Sequence, residues 1–156
     1  MKLCILGGGL TGLSLAKSLV KKGLSIDIFL NKKKSDFNRS RTIGISNDNL
    51  MYFNKEILDI KKLLLDIKKI EIYSDNLINE KILNFENNNK TLFAILRNYE
   101  LQSKLLINLK KEKLCKFKNN FNYKISNLKK YKLIINCEKN NYFSKKFFAR
   151  SLKKKI

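Results

Sequence analysis

The first 30 residues change their hydrophobic period twice, in the order strand, helix, strand. The short apolar run at 3–6 is typical of a strand that is buried on both faces of a parallel sheet. Apolar residues then recur at helical spacing between 10 and 20, and Gly23 is a natural helix stop. From 24 to 30, Ile26, Ile28 and Leu30 alternate with Asp27 and Phe29, as the two faces of a strand do. This order predicts one βαβ unit with parallel strands.

Beyond residue 30 the pattern predicts shorter elements in a mixed order. A polar loop at 31–42 leads to a helix around 49–54 and to a second short amphipathic helix near 57–65. A longer helix starts at Tyr99 with leucines on one face, whereas the tail from Lys139 shows no clear period. Strands are predicted at 69–74, 81–86, 91–97, 113–118 and 131–137, the last of them buried. The first two are predicted to be antiparallel neighbours across the turn between them.

The segment Gly-Gly-Gly-Leu-Thr-Gly at 7–12 has the spacing of a dinucleotide-binding loop. In that pattern Gly7 makes the tight turn, Gly9 lets a diphosphate approach the backbone, and Gly12 allows the helix to pack on the strand. The N–H groups at the helix start and the helix dipole favour the negative charge of the phosphates. The candidate binding residues are Gly7, Gly9, Leu10, Thr11 and Gly12.

The residue that usually binds the ribose in such a site is missing. A dinucleotide loop is normally followed about 20 residues on by an aspartate or glutamate that accepts hydrogen bonds from a ribose hydroxyl. Here the second strand ends with Leu30, and Asn31 offers only an uncharged amide oxygen. The lysines at 32–34 could contact a 2′-phosphate, which keeps an NADP site open beside the alternative of a solvated lysine loop.

The charge is strongly biased, because 34 basic and 13 acidic residues give a formal net charge of +21. Residues 91–156 carry 18 of the basic and 3 of the acidic groups, which suits an anionic lipid surface or a polyanionic partner. However, 30 of the basic residues are lysines and asparagine occurs 20 times, which is typical of an A/T-rich coding sequence. No base-stacking platform or recognition helix is evident, so a nucleic-acid partner is not expected.

The absence of histidine and the wide separation of the three cysteines exclude several kinds of site. No imidazole is present to activate a serine or cysteine nucleophile, and no Cys-x-x-Cys pair indicates a metal site. No segment approaches the roughly 20 apolar residues of a membrane span. We expect a cytoplasmic protein that makes peripheral contact with the inner face of the membrane.

Three segments together resemble one protein family. They are the loop at 7–12, RTIGISNDNLMYFNKE at 41–56 and LRNYELQSKLL at 96–106. An Arg-Thr-x-x-x-Ser segment after the first βαβ unit, and an Asn three residues before a Leu that opens a helix, are similar to those of flavoprotein aromatic hydroxylases. Within that family the chain resembles the polyprenyl-phenol hydroxylases of ubiquinone biosynthesis.

The resemblance implies an FAD-dependent monooxygenase that uses NAD(P)H and oxygen to hydroxylate the ring of a phenolic lipid. The implied fold is α/β, a Rossmann-like FAD-binding domain with a parallel βαβ core and a small antiparallel strand segment. Gly7, Gly9 and Gly12 would hold the FAD diphosphate. Arg41 would reach the cofactor's phosphate or ribityl region, and Asn98 would hydrogen-bond near the flavin. No catalytic side chain and no metal is implied, because the cofactor carries the chemistry.

The chain also departs from the family pattern. Leu30 stands where the family has the ribose-binding acid, and Glu138 and Lys139 stand where it has the Asp-Gly of an Ala-Asp-Gly-x-x-Ser motif. Residues 1–156 correspond to the N-terminal portion of the FAD-binding domain, in which 67–97 would begin the substrate domain. The large substrate sheet and the C-terminal part have no counterpart. We therefore expect a truncated chain, inactive alone, with apolar faces left exposed.

Two other functions stay open on the sequence. One is an NAD(P)-binding Rossmann module of a different oxidoreductase, which the missing acid and the lysines at 32–34 suggest. The other is a basic nucleic-acid-binding protein, which the net charge suggests. For the hydroxylase, the expected partners are the phenolic lipid substrate and other proteins of quinone synthesis, one of which could complete the chain.

Overall fold

The computed structural model divides the chain into two compact units. The first unit comprises Met1–Ser35 and Lys104–Ile156, and the second comprises Asp36–Ser103. The residues that the structure describes are 2–30, 39–75, 80–86, 91–119, 121, 129–139 and 141–148.

The elements of the described chain are short, and most of the strands have five or six residues. The strands are β1 (Lys2–Leu6), β2 (Ser25–Leu30), β3 (Thr42–Ser46), β4 (Leu65–Ile67), β5 (Lys69–Tyr73), β6 (Lys81–Glu86), β7 (Phe93–Arg97), β8 (Cys115–Asn119) and β9 (Leu133–Asn136). The α-helices are α1 (Leu10–Lys21), α2 (Asn47–Tyr52), α3 (Asn98–Lys110) and α4 (Tyr142–Phe148). A π-helical turn covers Phe53–Ile57, and a 3₁₀ turn covers Lys61–Leu63.

The first unit is built on a parallel sheet with the strand order β8-β2-β1-β9. Strand β1 lies between two neighbours, and its Ile5 pairs with Ile28 of β2 and with Ile135 of β9. The side chains of Leu3–Leu6 are at most 2% exposed. Burial on both faces explains why this strand is a continuous apolar run. The predicted parallel βαβ unit is confirmed.

Helix α1 packs on β1 and β2 with Leu13, Ala16 and Val20, which are all buried. The helix ends where Gly23 takes a φ of +78°, a left-handed conformation that favours glycine. The Gly23 amide donates to the Val20 carbonyl at 2.9 Å, which satisfies one of the last carbonyls of the helix. The predicted helix stop is therefore present at the predicted residue.

Asp27 in β2 is a buried charged residue. It shares a face of the strand with Phe29, and its side chain is fully buried. Its Oδ2 accepts from Lys118 Nζ at 2.6 Å and from Tyr131 Oη at 2.7 Å, and Lys2 Nζ lies 3.1 Å away. Burial raises the pKa of this carboxyl, but the hydrogen bonds from these three donors outweigh burial and hold the pKa below its usual range. A buried, ionised aspartate therefore links β2 to β1, to β8 and to the segment before β9.

The second unit contains an antiparallel sheet with the order β3-β7-β4. The central strand β7 buries Ala94 and Leu96. Between them, Ile95 pairs with Gly44 of β3 on one side and with Leu65 of β4 on the other. The strand that the sequence predicts in this stretch is confirmed as β7.

Strands β5 and β6 of the second unit form a separate antiparallel pair, as predicted. Ile70 pairs with Phe85 and Ile72 pairs with Leu83, so these four side chains share one face of the hairpin. Ile72, Leu83 and Phe85 are 43–48% exposed. The hairpin thus presents an apolar face to its surroundings, a feature that in other proteins marks an interaction surface or a tendency to aggregate.

The helix predicted near 57–65 is wrong. The buried side chains of Ile57 and Ile60 give this segment a helical spacing. However, the Ile60 amide donates to Asn54 Oδ1 at 2.8 Å and closes a turn instead. The chain then enters β4 at Leu65, where pairing with β7 satisfies the backbone.

Other differences from the prediction are smaller. The stretch 41–46, which carries no strand in the sequence prediction, forms β3. The helix predicted around 49–54 is α2 followed by the π-helical turn. The strand predicted as buried at 131–137 is β9, which lies at an edge of the described sheet and leaves Leu133 51% exposed. The tail without a clear period begins with α4.

The structure confirms the predicted fold class, an α/β chain with a parallel sheet and additional antiparallel strands. The assignment of 67–97 to the start of a substrate domain stays a prediction. Within the described ranges, no helix is both long enough and apolar enough to cross a bilayer.

Candidate functional site

The glycine loop predicted from the sequence joins the carboxyl end of β1 to the start of α1. Gly7 has a φ of +113°, a backbone conformation that side chains rarely adopt. Its amide donates to the Phe29 carbonyl at 3.0 Å, which ties the turn to the neighbouring strand β2. A Cβ at this position would also lie 2.8 Å from Glu138 Cγ. This turn therefore needs glycine for its backbone conformation as well as for space.

Gly12 brings the first turn of α1 into direct contact with the glycine loop. A Cβ on Gly12 would lie 2.2 Å from the Gly7 carbonyl oxygen and 3.4 Å from Ile5 Cγ2. The first distance is far below van der Waals contact, and the atom that is met belongs to the backbone. The close helix packing that the sequence predicts for Gly12 is present.

Gly12→Ala is expected to destabilise the first unit. Alanine is a better helix former by about 1 kcal/mol, but the backbone must move to admit its methyl group, and such overpacking costs about 1–3 kcal/mol. We expect a net loss of about 1–2 kcal/mol in the free energy of unfolding, measured by urea denaturation. Ser18→Ala in the same helix gains propensity without this contact, so it should be neutral or stabilising. Equal stability of the two variants would contradict the packing role of Gly12.

Gly9 differs from the other two glycines because its surroundings are open. It precedes α1 with φ −75° and ψ 176°, its carbonyl accepts the Leu13 amide at 3.0 Å, and no side chain caps the helix. Apart from its two chain neighbours, no residue that the structure describes has an atom within 4 Å of a Cβ built on Gly9. The first turn of α1 contains no acidic residue, so its N–H groups and the helix dipole face this space without a negative side chain. This space suits a phosphate group.

The glycine loop also lies where an α/β sheet normally binds ligands. From β1 the chain builds outward through β2 to β8 and then returns to β9 on the other side of β1. Ligands bind at such a switch point, outside the carboxyl ends of the strands. The Cys137 amide donates to the Leu6 carbonyl at 2.8 Å, and the Cys137 carbonyl oxygen would lie 3.1 Å from a Cβ on Gly7. The loop after β9 is therefore the second wall of the site.

A cluster of side-chain hydrogen bonds fixes this second wall. Asn136 Oδ1 accepts from Asn141 Nδ2 at 2.5 Å and from the Glu138 amide at 3.1 Å. Asn136 Nδ2 donates to Ser144 Oγ at 2.9 Å, and Ser144 Oγ donates to the Glu138 carbonyl at 2.8 Å. From the sequence, Glu138 was notable only as a departure from a family motif, and the cluster was not predicted. The sequence signal for this cluster is the Asn-x₄-Asn-x₂-Ser spacing that begins at the end of β9.

Leu30, at the end of β2, packs against the glycine loop. A Cβ on Gly8 would lie 2.3 Å from Leu30 Cδ2, so this apolar side chain packs directly over Gly8. The missing acid is thus replaced by a hydrocarbon contact, which offers nothing to a ribose hydroxyl. Asn31, the predicted substitute, and the lysines at 32–34 lie outside the described residues.

Arg41 and Asn98, the predicted site residues of the second unit, are neighbours. In the β3–β7 ladder Thr42 pairs with Arg97, so Arg41 and Asn98 are the next residues at the same end. The Asn98 amide donates to the Arg41 carbonyl at 3.0 Å. Both residues were predicted as site residues, but their pairing was not predicted.

The side chains of this pair have unused hydrogen-bonding capacity. Asn98 Oδ1 is buried and has no hydrogen-bond partner among the described residues. Such an atom costs free energy unless a ligand or water satisfies it. Arg41 is exposed, and its guanidinium can bond two oxygens of a phosphate at once. Ser46, the third residue of the family-like segment, caps α2 by accepting from the Asn49 amide at 3.4 Å.

The thiols of the first unit are not activated. Cys137 is free, and burial raises the pKa of its thiol. Burial also raises the pKa of Cys4 to about 12 and that of Cys115 to about 11. These thiols stay protonated at neutral pH and are poor nucleophiles.

Across the described part of the chain, no group of three or more Cys, Asp or Glu side chains is placed to hold a metal ion.

Comparison by sequence identifies no relative. No protein-family model matches the chain, and no curated protein matches it.

Comparison by structure finds similar folds of low sequence identity. The p-nitrophenol 4-monooxygenase PnpA from Pseudomonas putida DLL-E4 has a TM-score of 0.62 at 17% identity, over 76% of this chain and 31% of that chain. PqsL from Pseudomonas aeruginosa, described as a probable FAD-dependent monooxygenase, has a TM-score of 0.62 at 15% identity, over 76% and 32%. HpxO from Klebsiella pneumoniae, complexed with FAD and uric acid, has a TM-score of 0.57 at 19% identity, over 75% and 30%.

At this level of identity the likeness establishes the fold. The chain spans about a third of the length of the structures that it matches. Over about three quarters of its length it therefore has the fold of the corresponding part of these structures.

Proposed function

We propose that this chain binds FAD and forms the cofactor-holding part of a monooxygenase that hydroxylates the aromatic ring of a polyprenyl phenol in ubiquinone biosynthesis. The observation that carries the proposal is the open space at Gly9, before an uncapped helix and at the switch point of a parallel sheet. The fold shared with FAD-dependent hydroxylases supports the choice of FAD. The choice of a polyprenyl phenol comes from the resemblance of the segments at 41–56 and 96–106.

The residues of the first unit would bind the diphosphate of FAD. The N–H groups at the start of α1, beside Leu10 and Thr11, would donate to the phosphate oxygens, because Gly9 places no side chain before them. Gly7 and Gly12 would help to hold the diphosphate through the shape that they give the loop. Leu30 gives no hydrogen bond to the adenosine ribose, so the retention of FAD would depend more heavily on the diphosphate contacts.

The residues of the second unit would bind other parts of the cofactor. Asn98 Oδ1 would accept a hydrogen bond from the flavin ring, which would satisfy a buried acceptor. The Arg41 guanidinium would bind the phosphate or ribityl region. Bound FAD, reduced by NAD(P)H, would supply the oxygen-activating chemistry, and the protein would position the phenol and exclude water.

FAD titration of the purified chain tests the proposal. We expect bound flavin to be visible in the absorbance spectrum and FAD to bind more tightly than NADPH. Binding of NADPH without FAD would overturn the proposal and favour the NAD(P)-binding module. We expect no NAD(P)H-dependent phenol hydroxylation by these residues alone, because they span about a third of the hydroxylase length. Measurable hydroxylation would contradict that expectation while supporting the family assignment.

Asn98→Leu separates a ligand contact from a structural role. In the free protein this change removes a buried acceptor without a described partner, so the thermal midpoint should be unchanged or higher. If Asn98 binds FAD, the affinity for FAD should fall about 10-fold, which is the effect of losing one hydrogen bond. Asn84→Leu, on the exposed strand β6, is the matched control and should leave FAD affinity unchanged. Unchanged affinity in Asn98→Leu would exclude the flavin contact.

A further inference from the structure

Helix α4 presents two aromatic and two basic side chains on the surface of the first unit. Tyr142 and Phe147 are 47% and 63% exposed, and Lys145 and Lys146 are also exposed. Helical spacing places Tyr142, Lys145 and Lys146 on one face, with Phe147 next to Lys146. We call these four residues the basic–aromatic patch.

The side chains of the basic–aromatic patch contact one another. Lys146 Nζ lies 5.6 Å from the ring centroid of Tyr142 and 5.5 Å from that of Phe147, which are cation–π distances. The same ammonium lies 3.3 Å from Tyr142 Oη. Lys146 therefore lies close to two exposed rings, and a positive charge stands beside apolar surface.

A series of aromatic contacts connects the patch to the parallel sheet. Phe147 stacks on Phe143 with ring centroids 6.3 Å apart and an interplanar angle of 21°. Phe143 lies 6.3 Å from Phe121, which meets Phe29 of β2 edge-on at 4.8 Å. These contacts hold α4 on the sheet and fix which of its side chains face outward.

All charged residues in the sequence around the patch are basic. Between 139 and 156 there is no aspartate or glutamate, and the basic residues are Lys139, Lys145, Lys146, Arg150, Lys153, Lys154 and Lys155. Aromatic rings beside lysines are typical of segments that lie at the surface of a bilayer, where the rings enter the interface and the ammonium groups meet the headgroups. Each lysine near such a surface adds to binding when the lipids are anionic.

We propose that the basic–aromatic patch docks the chain on the surface of an anionic phospholipid bilayer. A bilayer fits better than a nucleic acid, because a base must stack on a free ring face. Lys146 lies over both exposed rings, and Phe143 stacks on Phe147. The proposal does not depend on flavin binding, although a membrane location agrees with a lipid-soluble phenol as substrate.

Vesicle co-sedimentation of the full chain tests the proposal. We expect binding to vesicles that contain phosphatidylglycerol and little binding to phosphatidylcholine alone. The double variant Lys145→Glu and Lys146→Glu should bind anionic vesicles about 10-fold or more weakly. The matched control is Lys61→Glu with Lys62→Glu, which changes the net charge equally at exposed lysines of the second unit. An equal loss in both double variants would overturn the proposal in favour of a general charge effect.

A fluorescent probe tests whether the aromatic side chains enter the interface. The chain contains no tryptophan, so Tyr142→Trp provides a single reporter in the patch. Its emission should shift to the blue with anionic vesicles, and Phe147→Ser in the same background should weaken binding several-fold. An unshifted emission with vesicles bound, or salt-sensitive binding to single-stranded RNA in place of vesicles, would overturn the proposal. Circular dichroism should show all variants folded, because the substituted residues are exposed.

Discussion

Gly9→Glu is expected to abolish FAD retention while the protein stays folded. The new Cβ lies in the open space before α1, where no described residue other than the two chain neighbours has an atom within 4 Å. The backbone of Gly9 is extended, with φ −75°, and accepts any residue without strain. A carboxylate there would occupy the space of a phosphate and repel it. We expect a loss of about 100-fold or more in FAD affinity, about 2.7 kcal/mol.

A second variant separates the effect of charge from that of size, and two measurements separate FAD binding from folding stability. Gly9→Gln has almost the same volume without the charge, so it should weaken FAD binding less than Gly9→Glu does. Glycine is a fair N-cap, and replacing it by either residue should change the free energy of unfolding by less than about 1 kcal/mol. FAD affinity is measured by fluorescence titration and stability by urea denaturation of the same samples. Wild-type affinity in both variants would show that no phosphate binds at this loop.

The contrast with Gly12→Ala follows from the position of each missing side chain. At Gly12 a Cβ meets the Gly7 carbonyl oxygen, so the change acts on folding. At Gly9 a Cβ meets no other part of the described chain, so the change acts on the ligand. One motif therefore contains a structural and a binding glycine, and the two variants should lose different properties.

The local part of this fold was predictable because its signals are local. The first βαβ unit depends on a buried strand, a helical period and a helix stop within 30 residues. The pairing of β5 with β6 joins neighbouring segments, so alternation and a short turn were sufficient. For the same reason the conformations of Gly7 and Gly12 agree with their positions in the motif.

Long-range pairing was not predictable from these patterns. Strand β3 contains Gly44, which lowers its strand propensity, and its partner β7 lies about 50 residues further on. The proximity of Arg41 and Asn98 follows from that pairing alone. Similarly, the segment that contains Ile57 and Ile60 has a helical spacing. However, Leu65–Ile67 pair with β7 as strand β4, so the helical spacing does not continue. In both cases a tertiary contact outweighs the local pattern.

The burial of Asp27 was missed for a related reason. One aspartate in an alternating strand indicates a solvent-facing row when the sheet is covered on one face only. Here Phe29 of the same row contacts Phe121 at 4.8 Å and Tyr131 at 6.3 Å between ring centroids, so the second face is covered as well. The covering residues lie about 90 to 100 positions away in the sequence. No local pattern identifies them as partners of β2.

Asp27→Asn is expected to destabilise the chain more than any other single change proposed for the first unit. The variant keeps the shape of the side chain but loses the negative charge. In the wild type this charge pairs with Lys118 and Lys2 and accepts from Tyr131. Removing one member of a buried ion pair can cost about 3–5 kcal/mol. The two lysines are about 40% exposed and can turn to water, so we expect a loss of about 2–3 kcal/mol at pH 7 in urea denaturation.

The pH dependence identifies the cause of that loss. The folded pKa of Asp27 lies below its unfolded value, so the ionised carboxylate stabilises the fold above the unfolded pKa of about 4. That contribution is lost as the pH falls through the folded pKa. The difference between wild type and Asp27→Asn should therefore be full at pH 6–7 and should shrink as the pH falls below about 4. A difference that does not change with pH would show that lost packing is the cause.

Glu71 provides the matched control because it also contacts two lysines but is only half-buried, with 25% of its side chain exposed. Its carboxylate lies 3.0 Å from Lys69 Nζ and also pairs with Lys81, and these hydrogen bonds lower its pKa to about 2. Water reaches this partly exposed cluster and screens it, so Glu71→Gln should change stability less than Asp27→Asn does. Two carboxylates with similar partners are then compared at different depths of burial. Equal effects would mean that charge pairing alone is responsible, whereas the expected inequality assigns the stabilisation to the buried position of Asp27 within the sheet.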